Sequence, residues 1–319
     1  MDIKKSNLNM LYNEKIKNIL IKIIICPSCD GKMDWDITLI CNDCGENYTI
    51  DEKNGQIDLR LKSSKKILHE QVLDSNYSFN IKNKNKKSVY NFKFGYNSRN
   101  KIFTNFGKNL NKKQRKPVNK LYSWLPKNGR LALDIGSATD EKNKSYLEYA
   151  GFIYISIDYD SPNAMILADA HALPFCENSF DCITNLAVME HIEFPFIAGR
   201  ELYRILNING RMLGVVAFLQ QHHMSSWYHF THFGVYSWLT NSGFSEKKIK
   251  IDAADKKYHG IFNTASLIGL PILIKNLFLY PIYFLHRILW KIYAMKNGDN
   301  FEKVRHLQTT GAIHFIADK

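Results

Sequence analysis

Short apolar runs and helical spacings alternate along the second half of the chain. Arg130-Leu-Ala-Leu-Asp-Ile135, Phe152-Ile-Tyr-Ile-Ser-Ile157, Ala164 to Ala168 and Phe180 to Thr184 are brief apolar runs bounded by turn-forming residues, the pattern of buried strands. Helical spacing precedes them over Val118 to Leu125, follows the first run up to Ala150, and returns over Phe196 to Leu206. Gly210 to Phe218, Phe244 to Asp255 and Thr310 to Ala317 read as three further strands, the last antiparallel. This alternation predicts an α/β fold with a doubly wound, mostly parallel seven-stranded sheet, its ligand at the carboxyl ends of the strands. Near the N-terminus, Ile19 to Ile25 is apolar but broken by Lys22, and predicts a strand. Residues 62–120 show no clear period, with aromatic islands such as Tyr90-Asn-Phe-Lys-Phe-Gly-Tyr96 in Asn- and Lys-rich text.

An apolar insertion, 261–300 with its core at Ile261 to Met295, separates the last two strands and predicts helices. It carries Leu277-Phe-Leu-Tyr-Pro-Ile-Tyr-Phe-Leu285 and Ile288-Leu-Trp290, punctuated by Lys275, His286, Arg287 and Lys291. Such a segment is too interrupted for a spanning helix of about 20 apolar residues. Basic residues beside Trp and Tyr suit peripheral membrane contact or a lipid-chain site, while a homodimer interface or a substrate lid is equally economical.

Composition sharpens this division. The 319 residues are 45% hydrophobic and 23% charged, enough for a packed core and too apolar for wholesale disorder. The net charge of +13 is localised. Residues 1–61 balance at −2 and 121–319 at +1, whereas 62–120 carry 16 Lys and Arg against 2 Asp and Glu. One basic segment can face RNA phosphates or anionic lipid, or simply be a solvated linker that packs through its aromatics. The opening residues show no secretion signal, so the expected location is cytoplasmic, or peripheral on the inner face of the membrane.

Four of the six cysteines form two CxxC knuckles, Cys26-Pro-Ser-Cys29 and Cys41-Asn-Asp-Cys44, with 11 residues between them. Four thiolates so spaced suit tetrahedral Zn2+, and two copies at this spacing argue against a redox pair. Such a site is closed, hence structural. Residues 1–61 therefore read as a zinc ribbon, 62–120 as a basic linker and 121–319 as the α/β domain. Cys176 and Cys182 read as packed thiols.

From Cys26 through Cys44-Gly-Glu-Asn-Tyr48 to Leu59, the ribbon resembles the small zinc proteins that activate methyltransferases. The later text resembles class I S-adenosylmethionine-dependent methyltransferases of the type 11 group, with a Rossmann-like sheet. The resemblance is carried by Leu133-Asp-Ile-Gly-Ser-Ala-Thr-Asp140, Ile157-Asp158, Ala168-Asp-Ala-His-Ala-Leu-Pro-Phe175, Ser179-Phe-Asp-Cys-Ile183, Met189-Glu-His191, Glu201-Leu-Tyr-Arg-Ile-Leu206 and Asn209-Gly-Arg211. It implies S-adenosyl-L-methionine as cofactor. Asp134 would orient its methionine end, Gly136, Ser137 and Ala138 would wrap it, and Asp158 with Tyr159 would hold the ribose. Asp169 and Ala170 would frame the adenine, and Asn185 and Leu186 would line the floor. Ala138 and Asp140 stand where the family repeats glycine, which leaves a cofactor-free binding module as an alternative.

Proton-transfer candidates are His191, just beyond the fourth strand, and His223 and His229 in the run Gln220 to His232. That run holds four histidines in eleven residues at the sheet's active edge. The expected acceptor is a glycan, a lipid-linked sugar or another small metabolite; the alternative is ribosomal or transfer RNA.

Overall fold

The computed structural model describes residues 14–35, 39–51, 54–61, 123–125, 131–137, 141–220, 226–254, 260 and 272–319. The whole basic segment 62–120, the helix expected over Val118 to Leu125 apart from its last three residues, Ala138, Asp140 and His223 lie outside these.

The first element corrects the sequence reading. Glu14–Ile23 is a helix, α1, where Ile19 to Ile25 suggested a strand. Ile16, Ile19, Leu20 and Ile23 recur at the i, i+3, i+4, i+7 spacing of one helical face, and Lys15, Lys17 and Lys22 fall elsewhere. Only Ile24 and Ile25 are extended, bridging Phe175 and Lys32. Four short strands follow: β1 (Met33–Asp34), β2 (Leu39–Cys41), β3 (Asn47–Ile50) and β4 (Ile57–Asp58), each antiparallel to the next.

The second half runs β5 (Leu131–Ile135), α2 (Glu141–Tyr149), β6 (Ile153–Asp158), β7 (Ile166–Leu167), β8 (Phe180–Leu186), α3 (Pro195–Ile205), β9 (Leu206–Ala217), α4 (His232–Asn241) and β10 (Ile249–Ala253). Helix α5 (Ile272–Asn297) forms the described part of the expected insertion, whose residues 261–271 lie outside the described ones; α6 (Asp299–Thr309) and β11 (Ala312–Asp318) follow. Strand β10 starts later than Phe244 because a single 3-10 turn, Glu246–Lys248, comes first. Phe244 instead packs edge-on against Tyr203 of α3, ring centroids 5.0 Å apart.

Seven strands from this half lie in the order β7-β6-β5-β8-β9-β11-β10, with β11 antiparallel to both its neighbours. The sheet does not stop at β7. β4 joins it in parallel register, Ile57 opposite Ile166 and Asp58 opposite Leu167, so the N-terminal strands extend it to eleven. Leu59 N–H donates to the Leu167 carbonyl at 2.8 Å, and Cys176 N–H to that of Ile23 at 2.7 Å. Leu20, Ile24, Tyr48, Ile57 and Leu59 share one buried cluster with Ile155, Phe175 and Phe180. On the far side Trp238 is fully buried, meets Phe315 edge-on at 5.3 Å and donates to the Pro195 carbonyl at 2.8 Å. Each such side chain contributes roughly 1.5–3 kcal/mol through burial.

Candidate active site and metal centre

The two cysteine knuckles converge. The four sulfurs of Cys26, Cys29, Cys41 and Cys44 lie within 4.8 Å of one another, and the cysteines are free of disulfides. Cys29 and Cys41 are 3.4 Å apart and Cys26 and Cys44 3.7 Å. A tetrahedron with Zn–S arms of about 2.3 Å has edges of about 3.8 Å, so the donor set is compatible with zinc. Ser28 N–H points at Cys26 Sγ (3.4 Å) and Cys44 N–H at Cys41 Sγ (3.5 Å), as turns that present thiolates require. Tyr48 OH, 3.4 Å from Cys26 Sγ and 3.0 Å from Ser28 Oγ, braces the cluster from outside. Gly31 is needed here, since a Cβ would come 2.8 Å from Cys41 Sγ. Among the described residues this is the one group of three or more such ligands.

At the other centre, the carboxyl ends of β5, β6, β7 and β8 bring the expected cofactor residues to one edge. Gly136 ends β5 with φ +66, in the left-handed region that favours glycine. Its N–H and that of Ser137 both donate to the Ile157 carbonyl, at 2.9 and 3.3 Å. A Cβ on Gly136 would collide with Val188. Gly136→Ala should therefore cost about 1–3 kcal/mol in denaturant unfolding. Gly151→Ala, at φ +90 but with nothing near its Cβ, isolates the backbone strain and should cost less.

Asp134 is buried and its carboxylate is already engaged. It accepts from Asn143 Nδ2, from Thr184 Oγ1 at 2.7 Å and from Tyr154 OH at 3.0 Å. Burial, then the Asp134 charge, pushes the Tyr154 phenol up, so this hydroxyl remains a donor. Asn143, Tyr154 and Thr184 were not singled out in the sequence; the signal was polar text, Tyr154 and Thr184, inside otherwise apolar strands.

Asp158 ends β6, half-buried, and its Oδ1 accepts from the backbone N–H of Asp160 and Ser161, 3.2 Å each. That fixes the carboxylate and leaves Oδ2 for a ligand. Asp169, buried just past β7, accepts from His171 N–H at 3.0 Å and pairs with His171 Nδ1 at 2.7 Å. Tyr159 is 43% exposed beside them, and Ala170 is half-buried. Asn185, at the end of β8, is fully buried, yet neither its amide nitrogen nor its oxygen has a hydrogen-bond partner. A buried amide without partners costs about 1–3 kcal/mol, and a ligand seated at this edge would relieve it. Leu186 follows half-buried, and Ala187 turns away at φ 57, an uncommon conformation for a side-chain-bearing residue.

Of the histidines, His191 closes the 3-10 turn Met189–His191 directly after β8. Trp227 and Tyr228 N–H both donate to the Glu190 carbonyl, at 2.6 and 3.2 Å, which straps the segment carrying His229 onto that turn. Glu190, fully buried, also takes the Ala217 N–H on Oε1 at 3.1 Å. It holds β8, β9 and the strap together and was missed as a functional candidate, although an acid amid Ala-Val-Met signals a buried role.

Residues 127–214 match the family described as methyltransferase domain. No protein of curated function matches the chain. Among solved structures, the chain is similar to phosphoethanolamine N-methyltransferase 2 of Haemonchus contortus in complex with S-adenosyl-L-methionine. The identity is 14% over 65% of this chain and 52% of that one, at a TM-score of 0.40. It thus spans about half the length of that enzyme. A Haloferax volcanii complex between the Trm112 methyltransferase activator and a methyltransferase matches at 14% identity, over 66% of this chain and 92% of that one, TM-score 0.42. A SAM-dependent methyltransferase from Archaeoglobus fulgidus matches at 15%, over 66% and 94%, also with a TM-score of 0.42. The match over residues 127–214, with β5 at the centre of a mostly parallel sheet, gives the chain a methyltransferase domain.

Proposed function

We propose that the domain methylates a small, lipid-linked acceptor, such as a lipid-bound glycan, that it meets at a membrane surface. Support for the cofactor half comes from the carboxyl edge, where Asp158 and Asn185, whose buried amide has no hydrogen-bond partner, lie at the ends of the strands that flank β5 and its Gly136 turn. Bound there, S-adenosylmethionine would supply an electrophilic methyl group on its sulfonium. Asp158 would accept from the ribose hydroxyls, Asp169 from the adenine amino group, and Asn185 would satisfy its amide against the ligand. His191, directly after β8, and His229, on the segment whose Trp227 and Tyr228 N–H groups donate to the Glu190 carbonyl, would take the acceptor's proton.

One observation favours a lipid-linked acceptor. Helix α5 has 26 residues and no acid, while Lys275, Arg287, Lys291 and Lys296 make it basic. Its Ile274, Leu277, Phe278, Leu285, Ile288, Ile292 and Met295 fall within about 100° of the helix circumference and are all exposed, from 41% at Ile288 to 87% at Met295. The opposite side is held: Trp290 donates to His286 Nδ1 at 3.0 Å, and Arg305 of α6 lies 4.4 Å over its ring. No described helix is long and apolar enough to cross a membrane. An apolar stripe between basic residues fits the interface of an anionic bilayer.

Changing Leu277, Phe278 and Phe284 together to Ser should lower co-sedimentation with phosphatidylglycerol vesicles roughly tenfold, with cofactor affinity unchanged. Binding should also weaken with added salt. Incubating the protein with cell extract and methyl-labelled cofactor should place the label in the lipid phase. Label in RNA instead would overturn the acceptor assignment, and a stable dimer indifferent to vesicles would reassign α5.

A further inference from the structure

We propose that Arg60, delivered by the N-terminal ribbon, positions Tyr159 as a wall of the adenine site, so that the ribbon is part of the cofactor-binding machinery. The inference rests on the cofactor reading above and deepens it.

It follows first from register. β4 pairs in parallel with β7, and β7 with β6, so all three carboxyl ends point to the same edge. Leu167 faces Asp58 on one side and Asp158 on the other. Strands are about 4.8 Å apart, which puts Asp58 only about 10 Å from the ribose-binding Asp158. Two residues beyond Asp58 comes Arg60, level with Asp169 two residues beyond Leu167. The N-terminal segment thus adds one more strand end to the crevice in which parallel sheets bind their ligands.

The side chains use this placement. Asp58 holds the Arg60 guanidinium as a fork, Nε to Oδ1 at 2.8 Å and Nη2 to Oδ2 at 2.5 Å. From that fork Arg60 Nη1 donates to the Tyr159 carbonyl at 3.2 Å, and Cζ lies 5.8 Å from the centre of the Tyr159 ring. The cation holds the ring at the edge where the adenine would sit, and the role inferred for the ring is to pack against the purine. Pairing with Asp58 also matters for charge: a lone cation at this edge would repel the sulfonium, whereas the ion pair does not. Gln56, from the same strand, donates to the carbonyls of Ser161 (2.9 Å) and Ala164 (2.7 Å), gripping the short connection that carries Tyr159. No helix supports that connection between β6 and β7, so the ribbon supplies its support.

Calorimetric titration of the full chain with S-adenosylhomocysteine and, separately, adenosine tests this. Arg60→Met should weaken both ligands by the same factor, roughly three- to tenfold, the range of one cation–π contact. Arg60→Lys, which keeps the charge but not the fork, should recover only part. In a Tyr159→Ala background, Arg60→Met should add no further loss, because Arg60 acts through that ring. Equal losses in both backgrounds would mean a general effect on the fold and would overturn the proposal. Wild-type affinity in Arg60→Met, with binding abolished in Asp158→Ala, would overturn it while leaving the cofactor reading intact. Absence of binding in the unaltered chain would instead remove the cofactor reading itself.

Discussion

Cys41→Ser should cost the chain its metal and lower the melting temperature of the whole protein, not of its first 61 residues alone. The four sulfurs have the separations of a zinc tetrahedron, and structural zinc sites of this kind contribute on the order of 10 kcal/mol to folding at neutral pH. Read from the sequence, the ribbon is a module ending near residue 61, whose loss would spare the rest. The strand pairing makes a wider effect the expected one. Without metal β4 loses its anchor, and its departure uncovers Ile57 and Leu59 together with Ile166 on β7, all fully buried. At roughly 1.5–3 kcal/mol per side chain, that exposure alone is a large part of a domain's stability. Elemental analysis of the unchelated wild type should give about one zinc per chain. Calorimetry of Cys41→Ser should show a single, lower transition. A ribbon that melts separately while the main transition stays in place would count against the shared core.

Asp158→Ala should weaken the cofactor by roughly 2–4 kcal/mol, between about thirtyfold and a thousandfold. The carboxylate is held by two backbone N–H groups; in the proposed role it would accept from both ribose hydroxyls, so its removal would leave the pair without an acceptor. Little unfolding should accompany the loss, because Asp158 is only half-buried and its two partners are backbone N–H groups of the segment just after β6. Unchanged affinity by calorimetry would move the ribose elsewhere.

Much of this was legible in the chain. The seven strands of residues 131–318 follow apolar runs whose boundaries are Gly, Asp and Pro, and local signals of that sort survive folding. The cysteine spacing set the sulfur cluster, because a CxxC turn leaves little freedom. Ile19 to Ile25 misled because an apolar run broken by one Lys fits either period; the stripe of Ile16, Ile19, Leu20 and Ile23 decides for helix. The joining of β4 to β7 was not legible, since two-residue strands carry no pattern and their pairing depends on contacts about 100 residues apart. For the same reason nothing in the sequence singles out Arg60. Asp134 was expected to face the ligand, but nothing local announces that Asn143, Tyr154 and Thr184 converge on it. Helix α5 was legible as apolar and helical, while its exposed stripe became visible only once α6 was seen to cover the other side.

The central claim is that this edge of the sheet binds S-adenosylmethionine. Isothermal titration of the intact, zinc-replete chain with S-adenosylhomocysteine, the stable product form, tests it most directly. The expected result is a saturable heat at about one equivalent per chain, lost in Asp158→Ala. No heat from the unaltered protein at millimolar ligand would contradict it.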